Sequence, residues 1–193
     1  KDLTIYTGST SEYTEYFGGQ VELGSYATSY IPTSGSTVTR NADVFTRTGI
    51  ADLINSAEGV LFVEMAALAD DETYRQISIS DGTATNRISL FFQNTSNQIA
   101  VESAGSGTNL GIYNQNLTIT NSNKIAIKYK ANDCALWVNG VEVATDTSFA
   151  AFSANTLNTL SFDKGDGSFF YYGKIKQLQI YKTALSDTQL DDL

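Results

Sequence analysis

An aromatic face beside amides, hydroxyls or a guanidinium can pack on the apolar side of a ring and hydrogen-bond the hydroxyls around it, the chemistry by which a sugar is held. Several stretches of this sequence supply that mixture. At alternate positions Tyr74, Gln76 and Ser78 share one side of a segment, and Arg87, Ser89, Phe91 and Gln93 share one side of the next. Lys128 and Lys130 do the same on a third. Trp137, the only tryptophan, shares its parity with Ala135 and opposes Leu136 and Val138, so it stands either on an outer face or inside the core. Of the adjacent Phe91 and Phe92, only one can face inward. Basic residues on a binding face would suit an anionic glycan.

A second candidate is the run 163–172, in which an acidic, Gly-rich turn precedes four consecutive aromatics, Phe169, Phe170, Tyr171 and Tyr172. Alternation commits two of the four to the core and leaves at most two as a stacking platform, with Tyr171 a binding candidate. Asp163 and Asp166, helped by backbone carbonyls, could hold Ca²⁺, which takes several oxygen ligands. Their spacing is not that of an EF-hand, and an acidic Gly turn serves equally well as a plain turn. No cofactor is required by this reading.

The absences narrow the chemistry further. The 193 residues include no His, which removes Ser-His-Asp and Cys-His relays and imidazole metal ligands. One cysteine, Cys134, excludes an internal disulfide and a Cys-based zinc site. A net charge of -9 argues against nucleic acid or an anionic membrane surface as partner. No apolar run is long enough to insert in a bilayer as a helix. Glycoside hydrolysis needs two carboxylates about 5 to 10 Å apart. Glu64, Glu102 and Glu142 each stand alone in their segments, so a non-enzymatic role is expected. The opening residues lack a signal-peptide core and look like the start of a processed piece, with any export signal outside it.

The elements that must position these residues are strands. Period-two patterns mark 20–24, 36–48, 59–68, 74–80, 86–94, 98–102, 123–130, 134–138, 141–145, 156–162 and 171–181. Asp81-Gly82 and, more strongly, Asn139-Gly140 signal hairpins, because a type I′ turn needs positive φ at both central residues. Ser186 with Gln189 three residues later forms a capping-box pattern, enough for one short C-terminal helical turn. Many strands at short spacing, without intervening helices, predict a single all-β domain over 1–193, a two-sheet antiparallel sandwich with residues 1–19 as a candidate arm.

The C-terminal run from Gly173 to Leu190 resembles the closing strand and helical turn of laminin G-like, concanavalin A-like jelly rolls, with its Gly, its alternating strand ending in Tyr181, and Leu185-Ser186-Asp187. The hairpin from Leu136 to Val143 is similar to one in the same superfamily. A third stretch, Gln20 to Thr33 followed by Val38 to Asp43, resembles a segment recurrent in bacteriophage tail and head-fibre proteins and in secreted polysaccharide-binding proteins of marine bacteria. Polysaccharide lyases on this fold usually pair a Tyr with a His, which this chain lacks.

Together the residues and the resemblance imply a non-catalytic carbohydrate-binding module, displayed outside the cell or on a virion, with a glycan or polysaccharide as partner. The alternatives are a structural fibre domain that oligomerises through its N-terminal arm and, less in keeping with the missing His, a polysaccharide-degrading enzyme.

Overall fold

The apolar alternation closes into two antiparallel sheets. The computed structural model describes residues 11, 15, 18–23, 27–39, 44–105 and 115–193. The chain divides into two units, Lys1–Arg40 and Asn41–Leu193. In the second unit the strands run in order as β1 (Thr46–Arg47), β2 (Glu58–Ala66), β3 (Arg75–Ser80), β4 (Arg87–Phe92), β5 (Gln98–Ala104), β6 (Gln115–Asn116), β7 (Asn123–Lys130), β8 (Cys134–Val138), β9 (Val141–Asp146), β10 (Thr159–Ser161) and β11 (Lys174–Tyr181). A short helix, α1 (Asp187–Asp191), follows. One sheet has the order β1-β10-β3-β4-β5-β6 and the other β11-β2-β7-β8-β9.

The core lies between these sheets. Ile77, Ile79, Ile88, Leu90, Phe92, Ile99 and Val101 from one meet Leu61, Val63, Met65, Ile125, Ile127 and Leu136 from the other. Because side chains alternate, each inward residue fixes its neighbours on an outer face. Gly59 marks the tightest approach. A Cβ there would lie 2.5 Å from the Tyr181 carbonyl and 2.6 Å from the Tyr129 hydroxyl, so only glycine lets β2 fit between β11 and β7.

Local chemistry sets the turns. Asn139 (φ 52°) and Gly140 (φ 79°) both take positive φ, as the type I′ reading required, and Asn139 Oδ1 accepts the Lys124 N–H at 2.9 Å. The β3–β4 connection is longer than the two residues of an Asp-Gly hairpin, because Asp81 gathers the loop around itself. Its carboxylate accepts from Thr83 N at 2.9 Å, Thr83 Oγ1 at 2.6 Å and Asn86 Nδ2 at 2.7 Å. The expected strand 20–24 does not form where described, and of 36–48 only β1 does. Residues 20–23 and 36–39 are not in strands. In the unit Lys1–Arg40 backbone donors go to side chains instead, Ile31 N to Gln20 Oε1 at 2.8 Å and Thr28 N to Glu22 Oε1 at 2.6 Å. Residues 24 and 40–43 lie outside the described set, as does most of the arm 1–19.

The outer face of the five-stranded sheet has its own apolar cluster. Val60, Phe62, Ala126, Ala135 and Trp137 are roofed by Leu190 of α1, with Tyr181, Leu185 and Leu193 at its margin. The capping box holds that roof in place: Ser186 N donates to Gln189 Oε1 at 3.0 Å and Gln189 N donates to Ser186 Oγ at 3.4 Å. Among the described residues no helix is long and apolar enough to cross a membrane. Truncating Leu190→Ala should cost about 2–4 kcal/mol of unfolding free energy. It should also red-shift the emission of Trp137, the only tryptophan; an unchanged spectrum and melting curve would mean that α1 does not cover the ring.

Candidate functional site

The outer face of the six-stranded sheet differs from that of its partner. Its residues are the polar alternates of the core strands. Cross-strand register lays them out in rows: Ser161, Ser78, Ser89 and Glu102 in one, Gln76, Phe91 and Ala100 on one side of it, and Thr159, Ser80, Arg87 and Ala104 on the other. Gln76, Ser78, Ser80, Arg87, Ser89, Phe91, Thr159 and Ser161 are all buried. The Gln76 and Arg87 rows stand about 13 Å apart along the strands.

Burial makes hydrogen bonding on this face an accounting question. Ser78 Oγ and Ser161 Oγ satisfy one another at 3.0 Å. Arg87 Nη2 donates to Glu102 Oε2 at 2.6 Å, and Nη1 donates to the Ala84 carbonyl. Three atoms remain. Gln76 Oε1, Arg87 Nε and Ser89 Oγ are buried with no hydrogen-bond partner among the described residues. They are three of only five such side-chain atoms, so unmet hydrogen-bonding capacity concentrates on one face. An unsatisfied buried polar atom costs on the order of 1–3 kcal/mol, and a ligand that meets it recovers that cost.

An aromatic corner closes one end of this face. Tyr74 lies 6.1 Å from Phe91 and 5.2 Å from Phe169, centroid to centroid. Phe169 is held there by the backbone, since its carbonyl accepts the Gln76 N–H at 3.0 Å. Phe169 has φ 53°, a left-handed conformation uncommon for an aromatic, and is 44% exposed. Strain of this kind gathers at functional sites.

The structure thus brings Tyr74, Gln76, Arg87 and Phe91 together and places the other candidates elsewhere. Trp137 belongs to the opposite sheet and is buried under α1. Lys128, also on that outer face, ion-pairs with Asp133 at 2.7 Å and with Asp187 at 3.4 Å. Burial works against its charge, but the two carboxylates outweigh it and hold its pKa above the usual lysine value. Lys130 pairs with Glu58 at 3.7 Å. Tyr171 points between the sheets, stacked on Phe92 at 6.1 Å, with its hydroxyl donating to the Lys174 carbonyl at 3.0 Å. Tyr172 packs on the Arg75 guanidinium at 4.4 Å. Arg75 points inward and binds Asp71 and the Ala69 carbonyl, tying down the 69–73 loop.

Glu102 and Phe169 enter the site through pairings that a single strand does not reveal, whereas Ser89 shares the parity of Arg87 and Phe91. Ile99 and Val101 already imply that Glu102 faces outward; only the β4–β5 register brings it to Arg87.

Asp163 and Asp166 are engaged by their own loop. Asp163 accepts from Gly165 N, and Asp166 from Ser168 N at 3.1 Å and Ser168 Oγ at 2.5 Å. Among the described residues no three acidic, His or Cys side chains form a group that could hold a metal. Nor do the strand glutamates pair for hydrolysis. Glu102 is on one sheet; Glu64 and Glu142 are on the other, on strands β2 and β9 that stand three strand spacings apart, about 14 Å. Glu64 is neutralised locally by Lys176 Nζ at 2.9 Å, which with Ser122 Oγ holds its pKa below the usual value.

Asp81 supports the end of the site from which Arg87 extends. Burial raises its pKa, but hydrogen bonds from Thr83 and Asn86 outweigh it and hold the group below 3.8. A carboxylate depressed in the folded state stabilises above its unfolded pKa, and that stability is lost as pH falls through the folded value. Asp81→Asn should therefore cost about 1 kcal/mol at pH 7 and progressively less below pH 3.8. Urea melts at pH 7 and pH 3 measure this, and an equal cost at both would contradict it.

Comparison with known proteins agrees with the architecture. A family model described as the concanavalin A-like lectin/glucanases superfamily matches residues 62–191. No curated protein matches the sequence. Among solved structures, a leech intramolecular trans-sialidase aligns with TM-score 0.57 at 18% identity, over 71% of this chain and 23% of its own. The CBM40 domain of Ruminococcus gnavus IT-sialidase, solved with α2,3-sialyllactose, aligns with TM-score 0.57 at 18% identity, over 70% of this chain and 82% of its own. Domain 4 of the extracellular arabinanase AbnA from Geobacillus stearothermophilus, in complex with arabinotriose, gives TM-score 0.58 at 16% identity, over 74% and 68%. At these identities the likeness is one of fold. Matched over two-thirds of its length and folded as two antiparallel sheets, the chain belongs to the concanavalin A-like lectin/glucanases superfamily.

Proposed function

We propose that this protein is a non-catalytic glycan-binding module, and that the glycan lies on the outer face of the six-stranded sheet. The observation that carries the reading is the cluster of unmet polar atoms, Gln76 Oε1, Arg87 Nε and Ser89 Oγ, on one face. Beside them stands the aromatic corner of Tyr74, Phe91 and Phe169. A sugar that displaces what covers these buried atoms would complete their hydrogen bonds with its hydroxyls while its apolar side packs on the exposed Phe169 ring. The neighbours solved with sialyllactose and arabinotriose lend support as folds that hold sugars. Binding requires no Ca²⁺ in this reading, because Asp163 and Asp166 are engaged within their own turns. Display outside the cell accords with it, and shallow sites of this kind gain strength from multivalency.

A second reading, an oligomerising fibre domain, is favoured by apolar side chains exposed in the unit Lys1–Arg40: Val21, Leu23, Tyr30 and Val38. A stable oligomer by light scattering, together with no retention on any glycan, would replace the first reading with this one.

The decisive variant is Ser89→Ala. Its hydroxyl has no partner to lose, so the melting temperature should hold or rise. Affinity for the best-retained polysaccharide, ranked by affinity electrophoresis with and without EDTA, should fall roughly 5- to 20-fold. Unchanged affinity would move the site off this face.

A further inference from the structure

We infer that the glycan is neutral, and that Glu102 enforces this selectivity through Arg87. The inference rests on the proposed glycan site and assigns its substrate class. A carboxylate or sulfate is best held by two parallel N–H donors of a guanidinium. On Arg87 both terminal nitrogens are already engaged, Nη2 by Glu102 Oε2 at 2.6 Å and Nη1 by the Ala84 carbonyl. Of the three guanidinium nitrogens only Nε has no partner among the described residues, and the second N–H on each terminal nitrogen shares that nitrogen with Glu102 or the Ala84 carbonyl.

The unmet set points the same way. It comprises one donor (Arg87 Nε), one acceptor (Gln76 Oε1) and one group that is both (Ser89 Oγ). Sugar hydroxyls donate and accept, so they can satisfy all three. An ionised carboxylate or sulfate only accepts, so it would leave the Gln76 oxygen unpaired and approach the Glu102 carboxylate.

Charge on the face agrees. Among the described residues, Arg87 is the only cation that β3, β4, β5 and β10 direct outward, and Glu102 balances it. Lys164, whose ammonium lies 5.7 Å from the Phe169 ring, shares its loop with Asp163 and Asp166. The paired Lys128 and Lys130 are on the other sheet. Among the described residues the basic side chains therefore do not converge into an anion site on this face.

The test is affinity electrophoresis of wild type and Glu102→Gln through neutral polymers (β-glucan, mannan, arabinan, galactan) and anionic ones (alginate, polygalacturonate, a sulfated galactan), at 20 mM and 500 mM NaCl. Wild type should bind at least one neutral polymer tenfold or more tightly than any anionic one, with little change between the two salt levels. Glu102→Gln removes the negative charge that balances Arg87 and repels an anion, and should gain at least tenfold for a polyuronate at low salt and lose that gain at high salt. Circular dichroism and a melting curve establish that the variant is folded, and wild-type selectivity alone decides the matter if it is not. Preference of the wild type for an anionic polymer would overturn the inference while leaving the glycan site standing. A folded variant with no gain would overturn the role of Glu102. No binding to any polymer would overturn both the inference and the proposed function.

Discussion

Register between β3 and β4 is the constraint on which the molecule depends. Ile77 faces Leu90 and Ile79 faces Ile88, and those pairs belong to the core. Their alternates, Gln76 opposite Phe91 and Ser78 opposite Ser89, then have no choice but the outer face. A slip of one residue would drive Gln76, Ser78, Arg87 and Ser89 into the sandwich and expel the isoleucines, exchanging the core for a set of unsatisfied polar groups. Packing of the interior and layout of the candidate site are therefore one decision made twice. Burial on both faces explains why β3 and β4 show no exposed residue at all.

The two outer faces show opposite ways of finishing a sheet. On the five-stranded sheet, large apolar groups (Val60, Phe62, Trp137) are covered by the chain's own C-terminal turn. Charged groups there are paired, as with Glu64 and Lys176 or Lys128 and its two aspartates, while Trp137 Nε1 is buried without a partner among the described residues. On the six-stranded sheet, serines, an amide and a guanidinium lie buried, and part of their capacity is unused. Among the described residues the unmet atoms on this face number three, against one, Trp137 Nε1, on the other.

Much of this was legible in the sequence because strand parity is a local property. The segments around β2, β3, β4, β7 and β8, the Asn139-Gly140 hairpin and the Ser186 capping box follow from patterns a few residues long. So do the shared side of Tyr74 with Gln76 and that of Arg87 with Phe91; that the two sets lie on one face needs the β3–β4 register. What stayed hidden depends on long-range neighbours. Trp137 is outward by parity, yet whether an outward ring meets solvent or a roof depends on Leu190, far along the chain. Tyr171 and Phe169 differ in parity by none, and their fates separate only because Phe169 adopts a left-handed backbone and bonds to Gln76. Lys128 reads as a free cation until the turn at Asp133 and the start of α1 close upon it.

The most direct measurement is an amide chemical-shift titration with oligosaccharides cut from the best-retained neutral polymer. The largest shifts should fall on Gln76, Ser78, Arg87, Ser89, Glu102 and Phe169, with Trp137 and the lysine-bearing face of β7 unmoved. Shifts centred on Trp137, Lys128 and α1, with the β3–β4 face silent, would contradict the placement of the site.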